Sequence, residues 1–507
     1  MSTTRLSLLT ALSLLPIACG DDGPGSDTTS ASTQTSTPAT SGEPTTTASS
    51  ATATGTDTGA TSQATQTSQT SQTTDTTETS GPTTDPTGAT DTGDTTTGEA
   101  GCEPALPTFA DGKSPTSTLY VQAGAAPGGD GSRAAPFATL DAGLKAATPG
   151  TDVRISGELP ASTYTVGLGG TPEAPIWITG EPGAKVGPLT LEMGHDIVIR
   201  DLELSGSADG HVLHFFFADR ILMRGLKIHD AGLGCIKGSQ ATEVHLEDSE
   251  LWAAGKASGH PVLDYVGVNG GHIVRSDFHD GPGVMIMLKG GTSDLLFAWN
   301  LVHGQSEPGN ALALGQSTGP QFFQPIDAAF EGLRIVAYAN LLYDLVGAPV
   351  AFEGCKDCAA VRNTIWNTTG AQLVRFLPGA AGMNSGVMQS IPEGNRFTGN
   401  IIVGGQEAGA SLNADEPNTG PNNVLDYNVF LKPGALNWWG VVPQDMVHST
   451  YDQDPMLGAD GVPANIPLVD GKGPPDLAGL PFAATFLKDA AGACVQQPPD
   501  IGAFDVP

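Results

Sequence analysis

The sequence predicts an all-β solenoid, and three observations carry that expectation. A short pattern of alternating apolar residues, a polar corner, further alternation and a closing turn recurs about nine times between residues 197 and 432, as in IVIRDLELSG (197–206), VHLEDSELWA (244–253), LLFAWNLVHG (295–304) and NRFTGNIIVG (395–404). Aligned on the last apolar pair, the repeats place Asn300, Asn340, Asn363, Asn400 and Asn428 in one column, with Leu202, Leu226, Ser249 and Ser276 in the same column earlier. Most repeats follow one another after 23 to 27 residues, too few for two strands and a crossover helix but enough for one solenoid turn of two or three short strands. Such turns bury their Leu, Ile, Val and Phe columns only by stacking on one another, so the units are stable together and not singly.

In chain order, Arg5 precedes an apolar run from Leu6 to Ala18 that is too short to span a bilayer and reads as a secretory signal over residues 1–18. Cys19 follows in LLPIACGDD, which resembles the lipobox of bacterial lipoproteins. That resemblance implies a lipid anchor on Cys19, and Gly20 in place of an acidic residue favours the outer membrane or cell surface. Residues 19–100 are almost wholly Thr, Ser, Gly, Ala, Pro, Asp and Gln, without apolar periodicity, and are expected to be a disordered tether with a reach of about 50 Å. Of the net charge of −32, eleven acidic side chains against one arginine in residues 1–100 leave −22 for residues 101–507. That balance excludes nucleic acid as a partner and requires local cations, or bridging Ca²⁺, before an anionic polymer could approach.

The folded domain is expected over 101–507. Phe137, Leu140 and Leu144 at helical spacing after Pro136 predict a short amphipathic helix that caps the first turn, and Pro149–Gly150 stops it. Six cysteines are present. Besides Cys19, the CxxC of Cys355 and Cys358 could be a redox pair or half a zinc site, and a local disulfide is the expected reading. Cys102 and Cys494 stand at opposite ends of the domain, which argues against their pairing in a long solenoid, and Cys235 is left as a free thiol.

The opening LYVQ, GDGS, AAPFATLDAGLKAATPGTDVRIS and GTPEAPIWITGEPGA (170–184), the coils, and the closing PPDIGAFD (498–505) resemble bacterial right-handed parallel β-helix proteins of the pectate-lyase-like superfamily. The resemblance covers about residues 115 to 507. It implies that fold and an asparagine ladder at a buried corner.

Two outward columns are candidate sites. Aligning the strand after each turn puts Ile236, Val268, Leu288, Leu314, Phe352 and Phe376 inside. Lys237, Asn269, Lys289, Gly315, Glu353 and Leu377 then form an outward strip, with Arg375 on the same face. The other alignment stacks Ser205, His229, Trp252, His279, His303, Tyr343 and Trp366, either as structural filler or as platforms for sugar rings. Two longer coils carry loops 315–332 and 377–395, and Phe322 and Phe323 could wall a cleft beside Lys289 or cover a coil edge.

Hydrolysis of a glycan needs a compact carboxylate group, which neither strip carries, and FHDGPG (278–283) matches the epimerase pattern only loosely. β-Elimination on a uronic acid polymer needs less: a cation beside the substrate carboxylate and an amine or guanidinium as base. The resemblance implies Lys289 as base, with Lys237, Arg375 and Arg275 holding carboxylates and Asp264, Asp280 and Glu353 as possible ligands of Ca²⁺. The expected partner is a polysaccharide and the expected state a monomer. The alternative is a non-catalytic adhesin or cell-envelope scaffold that binds glycan on the ring column.

Overall fold

The computed structural model describes residues 102–506 apart from 257–258, 371, 405–410, 415–418, 432–436 and 441–445. The signal segment, Cys19 and the Thr/Ser-rich stretch therefore lie outside the described residues.

The chain is a parallel β-helix of about eleven turns. Its strands form three ladders that run along the solenoid, every pair parallel. Ladder I includes Thr163–Val166, Leu189–Glu192, Leu213–Phe216, Ile286–Lys289, Asn310–Leu314, Ala348–Glu353 and Gln372–Leu377. Ladder II includes Thr151–Ser156, Ile176–Gly180, His195–Arg200, Asp219–Arg224, Thr292–Ala298, Val336–Tyr338 and Ala359–Val361. Ile236–Glu247 and Leu263–Val274 run unbroken from ladder I into ladder II, which joins the two into one sheet. Ladder III runs through Lys227–Ala231, Glu250–Trp252, Asp277–His279, Leu301–His303, Leu341–Leu345 and Thr364–Thr368.

The corner between ladders II and III shows why the asparagines recur. Asp201, Asp248, Arg275, Trp299, Ala339, Arg362 and Tyr427 each take a left-handed backbone conformation with φ between 51° and 59°. A single such residue turns the strand, and the next residue is the one in the Asn column. Its side chain replaces the hydrogen bonds that the corner breaks. The Asn363 carboxamide oxygen accepts from the backbone N and the Nδ2 of Asn340, both at 2.9 Å, and its Nδ2 donates to Ala337 O at 3.2 Å and to Asn400 Oδ1 at 2.9 Å. The same exchange links Asn300, Asn340, Asn363, Asn400 and Asn428, and Ser276 and Ser249 continue it with single hydroxyls. A second, shorter ladder of Asn395 and Asn423 serves Cys358 N in the same way, and the repeat pattern did not reveal it.

The helix Leu140–Ala146 buries Leu140 and Leu144 against Val121 and Val153, as expected of a cap, with Thr139 accepting from Ala142 N at its start. Cys355 and Cys358 form the expected local disulfide, and Cys235 is free and buried. The expectation for Cys102 and Cys494 is overturned, because they are bonded to each other across 392 residues. The reason is the outer face of ladder II. It carries Trp177, Val198, Leu222, Val274, Leu296, Val336 and Tyr338, which must leave water, and both chain ends lie back along it. Phe109 and Ala110 cover its first coils, Leu106, Leu480 and Phe486 its middle. The C-terminal tail is held by a buried ion pair between Arg362 and Asp505 at 2.6 Å, both at most 3% exposed, and by Trp299 Nε1 and Tyr338 Oη donating to Lys488 O.

Candidate functional site on ladder I

Strand register decides which side chains share the outer face. Tyr265, Leu288, Leu314, Phe352 and Phe376 stand in one inward row, so the expected placement of the last four holds. The partner of Tyr265 on the preceding coil is Gly238, not Ile236. A Cβ on Gly238 would come within 2.7 Å of the Phe215 ring and 2.9 Å of the Tyr265 ring, so the row needs a gap there, and the apolar pattern skipped it. Val268 lies past the corner at Gly267 and belongs to ladder II.

These two shifts correct the strip. Lys237 pairs in register with His214 and Asp264, and Lys289 with Val266. Asn269 sits on ladder II beside Thr242 and Ser293, where it accepts from Ser293 Oγ. The row Lys237–Asn269–Lys289 therefore does not exist. One outward row instead reads His214, Lys237, Asp264, Met287, Ala313, Ala351 and Arg375, and a parallel row contains Phe216, Ser239, Val266, Lys289 and, further along, Glu353.

Lys237 Nζ lies 2.5 Å from Asp264 Oδ2 in a nearly buried pair. Burial opposes ionisation of Asp264, but Lys237 and Lys289 overcome it and hold the carboxyl down at about 2. His211 and His214 flank the pair, their rings 5.5 Å apart, and His260 lies 5.9 Å from His211. Burial, reinforced by the neighbouring cations, pushes His211 down to about 3 and His214 to about 4, so both are neutral at pH 7. Arg375 donates to Asn310 Oδ1 at 2.9 Å. Lys289 is 5% exposed beneath the 315–332 loop.

The loops are fastened by a residue not anticipated from the sequence. Glu331 is fully buried and accepts from Gly290 N, Thr318 N, Thr318 Oγ1 and Ala380 N, which ties both long loops to the strand end that bears Lys289. Burial pushes its carboxyl up to about 7 against those donors and Lys289. Phe323 is wholly buried and Phe322 partly exposed, so Phe323 covers a coil edge and does not wall an open cleft.

The ring column occurs in the expected order. His229, Trp252, His279, His303, Tyr343 and Trp366 are in register on consecutive coils, with centroids 4.2 to 5.6 Å apart and planes within 18°. The rings cover one another's faces, and the Trp366 ring reaches Gly461 at the end of the stack. Arg275 is on a different corner, bonded to Asp248 at 2.7 Å.

The three expected Ca²⁺ ligands do not meet. Asp264 faces Lys237, Glu353 accepts from Ser317 N, and Asp280 lies on the ladder III corner against His279. Among the described residues no group of three or more His, Cys, Asp or Glu could hold a metal ion. These three carboxylates therefore do not form one Ca²⁺ site.

The three ladders, the one-residue corners and the asparagine ladder define a parallel β-helix. No protein-family model matches the chain, and no curated protein matches it. Solved structures to which the chain is similar include the pectate lyase Pel9A, at 13% identity over 78% of this chain and 98% of that one, with a TM-score of 0.45. XylC in complex with xylose shows 8% identity over 77% of this chain and 98% of that chain, TM-score 0.49. An alginate lyase from Paenibacillus sp. shows 15% identity over 59% and 98%, TM-score 0.38. The similarity concerns the backbone course, and the assignment of the fold rests on the pairings described above.

Proposed function

We propose that the β-helix binds an acidic polysaccharide along the outer face of ladder I and cleaves it by β-elimination. The observation that carries this reading is the placement of Lys237, Lys289 and Arg375 on that one face, beside the two long loops fastened by Glu331. In an otherwise acidic domain these cations supply the local field that a uronate needs. A carboxylate held by Lys237 or Arg375 would have its adjacent C–H acidified. Lys289, as the neutral amine, then accepts that proton, the electron pair forms a carbon–carbon double bond, and the neighbouring carbon–oxygen bond breaks with its electrons going to the leaving sugar's oxygen, which takes a proton from water. The route calls on no metal ion, in keeping with the separation of Asp264, Asp280 and Glu353.

A second reading, a non-catalytic glycan-binding adhesin, is favoured by the ion pairing of Lys237 with Asp264 and the deep placement of Lys289. The two separate on absorbance near 235 nm, where unsaturated uronates appear, when the purified chain is offered pectate, alginate and glycosaminoglycans with and without Ca²⁺. The lyase reading expects a rise that disappears in Lys289→Met, with circular dichroism confirming the fold. Binding without a rise supports the adhesin. Neither binding nor cleavage on any polymer overturns both.

The address proposed with this function is the outer membrane or cell surface, through a lipid on Cys19, with the protein as a monomer. Cys19→Ser is expected to release the protein from the membrane fraction.

A further inference from the structure

One outward row of ladder II is apolar at both ends and polar in the middle. Val198, Leu222, His245, His272, Leu296 and Val336 follow one another in register. Phe109 and Ala110 pack on the Leu222 side of the histidines, and Leu106 joins the cluster of Val274, Leu296 and Val336 on the other side. The backbone from 106 to 109 therefore crosses the two imidazoles, and both are only 4% exposed beneath it. This strap is pinned at each end. Cys102 is bonded to Cys494, and Lys113 donates to Phe109 O and Pro172 O. Within it, Thr108 N donates to Asp111 Oδ2 at 2.8 Å and Asp111 N donates to Thr108 O at 3.2 Å.

The two rings are joined in a way that leaves no place for a further proton. His245 Nδ1 and His272 Nδ1 are 3.1 Å apart, so one carries a hydrogen and the other a bare lone pair. His272 Nε2 lies 2.7 Å from Glu247 Oε1 and donates to it, while His245 Nε2 is buried without a partner. A proton added at the shared contact sets two N–H groups against each other. One added at His245 Nε2 buries a charge that has no acceptor. The charged groups around the pair are already engaged. On the stack, Glu247 takes His272, Arg224 at 2.7 Å and Arg275 at 3.5 Å. On the strap, the Asp111 carboxylate takes Thr108 N and Oγ1. Lys488 of the C-terminal tail, which packs on the same face of the ladder, is bonded to Glu103. Burial, with His272 beside it, accordingly holds His245 down at about 3.

We propose that residues 103–112 are an acid-operated strap: protonation of the His245–His272 pair parts the two rings, lifts the strap and uncovers the apolar row of ladder II. The proposal is independent of any glycan. The opening is local because the strap contributes no strand to the ladders, the first being Ser117–Gln122, so it lifts without breaking one. It is reversible because the disulfide at Cys102 and the first strand hold its two ends, so the segment rises as a closed loop. Leu106, Phe109 and Ala110 are its apolar holds on the ladder. Against them stands a histidine that takes its proton only when the strap is up, which shifts the opening equilibrium by about tenfold for each pH unit below the free imidazole value of about 6.5. Glu247, held at about 2 under the closed strap, keeps its charge there through that range.

The test is hydrogen exchange of the full chain at pH 7 and pH 4.5, corrected for intrinsic rates and read by mass spectrometry on peptides from 103–113 and from the strand Leu341–Leu345. The expected result is that protection of the strap falls by about fiftyfold to a hundredfold at the lower pH, while the strand keeps its protection and circular dichroism is unchanged. The double variant His245→Leu, His272→Leu completes the apolar row, and its strap should stay protected at both pH values. Phe109→Ala removes a hold without touching the pair, so its strap should be less protected at both pH values with the same ratio between them. Strap protection in the wild type that does not change with pH overturns the proposal. So does loss of protection in strap and strand together, which would mean that acid unfolds the domain as a whole. An acid response that persists in the double variant also overturns it, because other groups would then take up the proton.

Discussion

Replacing Asn363 by Ala removes one rung from the middle of the asparagine ladder. Asn340 N and Ala337 O lose their partners, while Asn340 Nδ2 keeps Phe297 O and Asn400 Oδ1 keeps Asn363 N. Two backbone groups are thus left buried and unsatisfied, each at a cost of about 1–3 kcal/mol, so the loss is about 2–6 kcal/mol before any cavity is counted. Ser249→Ala provides the internal comparison, because it orphans mainly Leu226 N and so costs about 1–3 kcal/mol. Asn363→Asp is nearly isosteric and separates charge from volume. Its carboxylate would face Asn400 Oδ1 at 2.9 Å and Ala337 O at 3.2 Å, so at neutral pH it should destabilise more than Ala does. The assay is urea denaturation followed by circular dichroism, read as the shift in midpoint. Asn363→Ala indistinguishable from wild type, or less damaging than Ser249→Ala, would refute the view that the amides replace the corner's missing backbone bonds.

Two further outcomes follow from the same coordinates. Asp505→Asn leaves the guanidinium of Arg362 buried without its counter-charge and should cost about 3–5 kcal/mol, with earlier cleavage of the C-terminal tail in limited proteolysis. Unchanged proteolysis would mean that the apolar tail contacts suffice alone. Acid should weaken the fold in two stages. Burial holds His245 down at about 3, so below about pH 6.5 the unfolded chain takes up a proton that the folded one refuses, and stability falls from there toward pH 3. Glu247, buried but held at about 2 by His272 and Arg224, adds stability above about pH 4.3 that is lost as pH falls toward 2. Urea midpoints between pH 7.5 and 4 should fall, and less steeply in His245→Leu.

Much of the architecture was legible because it is written in periodic, local chemistry. The Asn column repeats one residue at one corner, the ring column repeats a flat ring at one position of the ladder III strands, and both stand where the alignment put them. The outer face of ladder I was legible only in part. Its register depends on Gly238, a glycine in an apolar row, and on a strand that rounds a corner without a break at Gly267. Apolar counting sees neither, so Asn269 was set beside Lys237 in the place that Asp264 comes closest to filling. Glu331 was missed because its four donors come from three segments distant in sequence. The stretch HVLHFFF (211–217) did carry a signal, five rings in seven residues, but it lacks the corner pattern that organised the alignment. The pairing of Cys102 with Cys494 depends on how the tails run over ladder II, which no repeat encodes.

That bond also changes how the domain bears force. Tension entering through residue 102 reaches Cys494 directly and passes to a tail anchored by Asp505 on Arg362, at the third described strand from the C-terminal end of ladder II. The first coil, with only a seven-residue helix over it, is thereby spared the load. A solenoid pulled from its first turn would peel one turn at a time, whereas this one is gripped inside the stack, where turns on both sides resist together.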